Sequence, residues 1–113
     1  MAFTTASKDT AVNALTATGT WIALCTGDPG TVGSNEVSGG SYARQQTTWG
    51  SSSSGTAAGS QVTFSSVPSG SYTHYAVFTA QTGGTFRWGF ALSPGVTLSA
   101  SGTVLMTPRV TFP

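Results

Sequence analysis

Tyr72-Thr73-His74-Tyr75-Ala76-Val77-Phe78-Thr79, Gln81-Thr82-Gly83-Gly84 and Thr85-Phe86-Arg87-Trp88-Gly89-Phe90-Ala91-Leu92 make up the stretch that decides the fold. In the first run Tyr72, His74, Ala76 and Phe78 alternate with Thr73, Tyr75, Val77 and Thr79, which is the period of a β-strand. The glycine pair supplies a reversal. In the returning run Phe86, Trp88, Phe90 and Leu92 share one face, each worth about 1.5–3 kcal/mol when fully buried. The expectation is a core hairpin.

Outward from it the rhythm of short strands and turns continues in both directions. Gln61-Val62-Thr63-Phe64 alternates and is followed by the turn Val67-Pro68-Ser69-Gly70. Downstream, Ser93-Pro94-Gly95 reads as a turn, then Val96–Leu98, Thr103–Thr107 and Val110–Phe112 as short strands, punctuated by Ser101-Gly102 and Pro108. Upstream, Trp21-Ile22-Ala23-Leu24-Cys25 is a continuous apolar strand, expected to be central and covered on both faces. Arg44 to Trp49 alternates enough for another strand, and Ser51–Gly55 reads as a flexible hairpin tip. Only residues 4–16 read as a helix: Thr4 or Thr5 caps it, Lys8 and Asp9 fall on its solvent side, Ala11, Val12 and Leu15 form a narrow apolar stripe, and Gly19 ends it. A helix this short needs a sheet or a neighbouring subunit to pack against. The fold class is therefore mainly β, an antiparallel β-sandwich or jelly-roll-like barrel with one short N-terminal helix, in a single domain over residues 1–113.

The segment between Cys25 and Arg44 is long for a connection, and it holds two of the three acidic residues. Asp28-Pro29-Gly30 is turn chemistry: the carboxylate accepts a backbone N–H two residues on, Pro presets φ, and Gly allows positive φ. Glu36 and Arg44 flank Gly39-Gly40, so a reversal there brings carboxylate and guanidinium into a bidentate latch. Asp28, Glu36 and Arg44 are thus the candidate loop-ordering residues.

This segment also carries a resemblance. Leu24-Cys25-Thr26-Gly27-Asp28-Pro29 and Glu36-Val37-Ser38-Gly39-Gly40-Ser41-Tyr42-Ala43-Arg44 resemble the L-x-T-x-D-P and E-V-S-G-G-x-Y-A-R segments of a family of small tailed-bacteriophage virion proteins, variously labelled tail fibre, minor tail or head-decoration proteins. The resemblance implies a structural part of the virion rather than an enzyme, with copies of itself and other virion proteins, either the major capsid protein or tail proteins, as partners. A compact single domain without a fibre repeat leans toward head decoration or a minor capsid role. The alternative is a tail-associated protein that contacts host-surface glycan.

Composition narrows the remaining classes. Only 6% of the residues are charged, against twelve aromatic residues and a net charge of +1, so the chain has the apolar content to fold and lacks the charge excess of a disordered one. Its polar surface is built from thirty-six Ser and Thr and fifteen Gly. Neutral hydroxyls are cheap to desolvate, and depletion of charge marks interface centres. A homo-oligomer is expected. Four scattered basic residues give no footprint for nucleic acid; the longest apolar run is five residues, too short for a membrane helix, and residues 1–20 lack the pattern of a secretory signal.

Chemistry is weighed and set aside. His74, the sole histidine, falls on an alternating strand, and no G-x-S-x-G elbow accompanies it. Asp28, Asn35 and Glu36 lack the spacing of a calcium loop, Gly27, Gly30 and Gly33 precede no helix that would cradle phosphate, and Glu36 lacks a second carboxylate for glycoside hydrolysis. Cys25 reads as a small buried hydrophobe. No catalytic residue, cofactor or metal is expected. Tyr42, Trp49 and Tyr72 are the candidate interface residues, as flat aromatic surfaces for a sugar or a subunit, unless they pack in the core.

Overall fold

The computed structural model describes residues 3–39 and 42–112. One helix, α1 (Thr5–Thr16), precedes eight strands: β1 (Trp21–Cys25), β2 (Gln45–Gln46), β3 (Thr56–Ala58), β4 (Val62–Val67), β5 (Gly70–Phe78), β6 (Phe86–Leu98), β7 (Gly102–Met106) and β8 (Arg109–Thr111). All pairings are antiparallel. The main sheet has the order β2-β1-β5-β6, and two ribbons, β4-β7 and β3-β8, complete the β structure.

The principal core lies between the main sheet and the β4-β7 ribbon. Ile22 and Leu24 of β1 and Tyr75 and Val77 of β5 meet Val62, Phe64 and Val67 of β4 and Val104 of β7. Ala23, Cys25, Ala76 and Phe78 occupy the opposite face of the main sheet and are buried too. β1 is accordingly central and covered on both faces, as its uninterrupted apolar sequence requires. A third cluster joins Val12 of α1 to Ala57 and Val110 of the β3-β8 ribbon, so the helix caps its own domain.

Several local expectations are corrected. β5 and β6 form the hairpin, but the register slips between Val77/Trp88 and Phe78/Phe86, leaving Arg87 as the extra residue of a bulge. Because side chains alternate, one extra residue turns Phe86 to the other face. Phe86 packs edge-on against Phe78 at 5.6 Å, while Trp88 faces the principal core. A second slip, between Tyr72↔Val96 and His74↔Ala91, separates Tyr72 from His74 in phase, and Tyr72 joins Tyr75 and Val77 in the principal core. That slip also absorbs residues 93–95, so what reads as a turn is a bulge within β6.

The expected strand from Arg44 to Trp49 is ladder-paired only over Gln45–Gln46. Beyond it Thr47 is buried, its hydroxyl donating to Ser60 O at 2.8 Å, and Trp49 bridges to Gly59. The helix stops at Ala17 rather than at Gly19. Gly19 is instead a point of close approach: a Cβ there would lie 2.9 Å from Val77 Cγ1. Thr4 is the cap, its hydroxyl accepting from Ser7 N at 3.1 Å. Asp9 does not simply face solvent. It accepts from Ser52 Oγ at 2.7 Å and Gly55 N at 2.8 Å, and Asn13 Oδ1 accepts from Ser52 N at 2.9 Å, so the serine-rich tip is tied to the helix.

Candidate functional site

The long connection after β1 folds back along the sheet that it leaves. Thr26 N donates to Asn35 O and Val37 N to Leu24 O, each at 2.9 Å, and Cys25 bridges to Glu36. Within the loop Asp28 Oδ1 accepts from Gly30 N at 2.8 Å, with Gly30 at φ 64°. Asn35 Nδ2 donates to Asp28 O at 2.9 Å and closes the base. Pro29 lies over Gly89 of β6, where a Cβ would come within 2.4 Å of Pro29 Cγ. The loop is thereby a lid over the second face of the main sheet.

Glu36 and Arg44 lock it. Arg44 Nε donates to Glu36 Oε2 at 2.9 Å and Nη2 to Oε1 at 2.8 Å, a two-point pairing. The other guanidinium nitrogen, Nη1, donates to Ala80 O at 3.0 Å and Gly83 O at 2.8 Å, so the same side chain holds the β5-β6 hairpin turn. Its guanidinium carbon stands 3.5 Å above the Phe78 ring, where the negative ring face attracts a cation. Tyr42 completes the arrangement. Its hydroxyl donates to Glu36 Oε2 at 3.1 Å and accepts from Leu24 N at 3.0 Å. Hydrogen bonding to Glu36 pushes the Arg44 pKa further up, and burial, with Glu36 adding to it, pushes the Tyr42 hydroxyl well above the usual phenol range. Burial likewise pushes the Cys25 thiol up to about 12, Glu36 adding to the effect. Gly40 and Ser41, within the expected reversal and motif, lie outside the described residues.

Of the residues singled out in the sequence, Glu36, Arg44 and Tyr42 come together, whereas Asp28 serves its own turn at the other end of the loop. Trp49 donates from Nε1 to Gly19 O at 2.8 Å and packs against Trp88 at 6.1 Å. Tyr72 is 1% exposed, with its hydroxyl donating to Pro68 O. The rings of Trp49 and Tyr42 are half-buried, and each has its polar atom engaged within the domain.

The three carboxylates are thus placed apart: Asp9 at the serine-rich tip, Asp28 in its turn and Glu36 in the latch. His74 Nδ1 lies 2.8 Å from the Thr73 hydroxyl. Among the described residues no three of His, Cys, Asp and Glu cluster as metal ligands would. The ionic chemistry is directed at fixing loops.

A second feature had no counterpart in the sequence reading. Between β6 and β7 runs a groove of about 630 Å³, with the buried Tyr75 at its base and Leu92, Val96, Val104 and Met106 along it. Phe90 and Leu105 border it and are 37% and 55% exposed. The legible signal was Leu105 itself, a large apolar residue between inward-facing Val104 and Met106 on a short strand.

A β-sandwich with latched loops and an apolar groove has the build of a structural domain. The model of the family described as podophage GP4 fiber I protein gp80 matches residues 5–109, nearly the whole chain, and the chain belongs to that family. It is therefore a phage structural protein and a component of the virion. A fibre family favours the tail-associated alternative over the head-decoration role toward which the sequence leaned. No curated protein matches the chain.

Proposed function

We propose that this protein is a non-enzymatic, tail-associated component of a podophage particle, a fibre subunit that assembles with copies of itself and with other tail proteins. The observation that carries this reading is the match to a fibre family across residues 5–109, which spans α1 and reaches β8. The geometry supports it in a specific way. With Asp9 and Glu36 turned to partners within the domain and Asp28 engaged in its own turn, few charges remain on an outer surface built mainly of neutral hydroxyl and apolar side chains. Such surfaces dock with little desolvation penalty and add stability on assembly by mass action.

Localisation and copy number test the proposal together. Gold-labelled antibody on intact particles marks the tail, and quantitative gel densitometry gives a few to tens of copies per particle, as the low-order symmetry of a tail demands. Label distributed over the head, with on the order of hundreds of copies, refutes it.

A further inference from the structure

The sandwich is open along one side, and the opening presents both backbone and charge. β6 ends the main sheet, and among the described residues its backbone hydrogen-bonds to β5 alone. Every second residue of Phe86–Leu92 therefore turns its N–H and C=O outward, and no residue of that stretch is buried. The groove beside this edge is apolar at Phe90, Val96, Leu105 and Met106, and a single charged residue, Arg109, lines it. Tyr75 fixes that end of the groove: its hydroxyl donates to Arg109 O and accepts from Arg109 N. The β8 backbone is thus held while the Arg109 side chain is left exposed. Among the described residues the ion pair of the chain is Arg44–Glu36, and no carboxylate pairs with Arg109.

We infer that the β6 edge and its groove take an extended segment of a different tail protein. The segment adds a strand to β6, fills the groove with apolar side chains at alternate positions and pairs a carboxylate with Arg109. This deepens the reading given above, in which other tail proteins are partners, and rests on it.

Backbone, period and charge select this occupant. The outward N–H and C=O groups call for another peptide backbone, because a lipid chain laid over them would remove their water and return no hydrogen bond. Side chains of an added strand alternate, so every second one faces the groove and the others face solvent. Seven residues of edge make a seam about 23 Å long, and the groove of about 630 Å³ has the size of a ligand-binding cleft. Charge then separates a different protein from a copy of this one. Asp9 is held at the serine-rich tip, Asp28 in its own turn and Glu36 by Arg44. Each carboxylate of this chain has its task, whereas the Arg109 fork has no acceptor. A planar guanidinium at the end of an apolar groove is matched by a carboxylate on another protein.

Fluorescence anisotropy on the purified full chain tests this. The probe is a labelled, end-blocked peptide of about seven residues, the length of the edge, that alternates valine with threonine and carries aspartate at each end. It should bind saturably. The same peptide with every backbone nitrogen methylated cannot donate to the edge and should bind about tenfold or more weakly. Arg109→Gln with the aspartate peptide, and wild type with an asparagine version, should each lose about fivefold, and the two changes together no more than either alone. Leu105→Ser should lose about fivefold with circular dichroism and thermal unfolding unchanged. Val32→Ser, at a residue 77% exposed on the lid loop, should bind as wild type does. Absence of saturable binding overturns the inference, as does a methylated peptide that binds equally or losses from Arg109→Gln and asparagine that add. Dodecanoate binding that Arg109→Gln abolishes would assign the groove to a lipid, and self-association abolished by Leu105→Ser would assign it to a second copy; either result overturns the inference too. Because the peptide is tested on the isolated chain, its failure leaves the fibre reading standing, whereas label on the head would refute that reading and leave the strand site.

Discussion

The two faces of the main sheet are built on contrary lines. Under the lid loop the strong polar groups have partners: Arg44 makes four hydrogen bonds, Glu36 accepts three, and the guanidinium carbon stands 3.5 Å from the centre of the Phe78 ring. Along the β6-β7 groove the backbone edge is unpaired among the described residues, and Phe90 and Leu105 are partly exposed to water. The first region gains nothing from a partner, whereas the second gains both hydrogen bonds and apolar burial. A chain with only seven charged residues that commits an ion pair to a loop is left with an outer surface poor in charge, on which Arg87 and Arg109 are the exposed cations of the β6 and β8 strands.

The comparison breaks most visibly at Arg44. Arg44→Ala leaves the Glu36 carboxylate partly buried and unpaired, and frees the carbonyls of Ala80 and Gly83. The expected loss is about 2–3 kcal/mol in urea unfolding, toward the low end for a broken buried pair because Glu36 retains some contact with water. Hydrogen exchange should quicken over residues 26–39 and 79–85 more than over β4 and β7. Unchanged protection of both loops would show that the latch does not hold them.

Gly89→Ala probes the same lid from beneath. The added Cβ would stand 2.4 Å from Pro29 Cγ and 2.8 Å from Tyr75 O, so either the lid lifts or β6 shifts, at a cost of about 1–3 kcal/mol. A melting temperature equal to wild type would mean that the lid is not seated on β6.

Asp9 gives a smaller effect with a definite pH dependence. Hydrogen bonds from Gly55 N and then Ser52 hold its pKa below the ordinary 3.8. The stability it contributes is therefore present above the unfolded-state value and is lost as pH falls through the lowered one. Amide exchange at Gly55, whose N–H donates to Asp9, should quicken in Asp9→Asn at neutral pH, and in wild type only under acid. Cys25 provides a related check on the sealed side. With its thiol raised to about 12, it should resist alkylation at mildly alkaline pH while folded and react once the chain is unfolded.

The smallest expected effect sharpens the contrast. Leu105→Lys in the monomer should change stability by no more than about 0.5 kcal/mol, because an exposed side chain contributes little to its own fold. Chemical denaturation below the association threshold measures it. A large loss would mean that Leu105 belongs to the core and not to the outer rim of the groove.

What was legible in the sequence follows the same division. Period-two patterning exposed the β5-β6 hairpin and the unbroken apolar run of β1, because alternation is a local property of the chain. Asp28-Pro29-Gly30 was legible as turn chemistry. The Glu36–Arg44 pairing could be anticipated because a chain with three carboxylates and few cations offers few combinations. The bulge at Arg87 could not. A register slip depends on what the partner strand presents, and it moved Phe86 from one face to the other without any break in the sequence pattern. Nor could the reach of Asp9 to Gly55, which are neighbours only through the packing of α1 on the β3-β8 ribbon. The groove was hinted at by Leu105 alone, because exposure of Phe90 and Leu105 follows from β6 and β7 each ending its sheet, and strand order was not written locally.

A side-chain-resolution cryo-EM map of the intact phage particle tests the central claim most directly. The account predicts this domain in the tail, with its Glu36–Arg44 latch closed. The domain found on the head lattice, or in the tail with Arg44 turned away from Glu36, would contradict it.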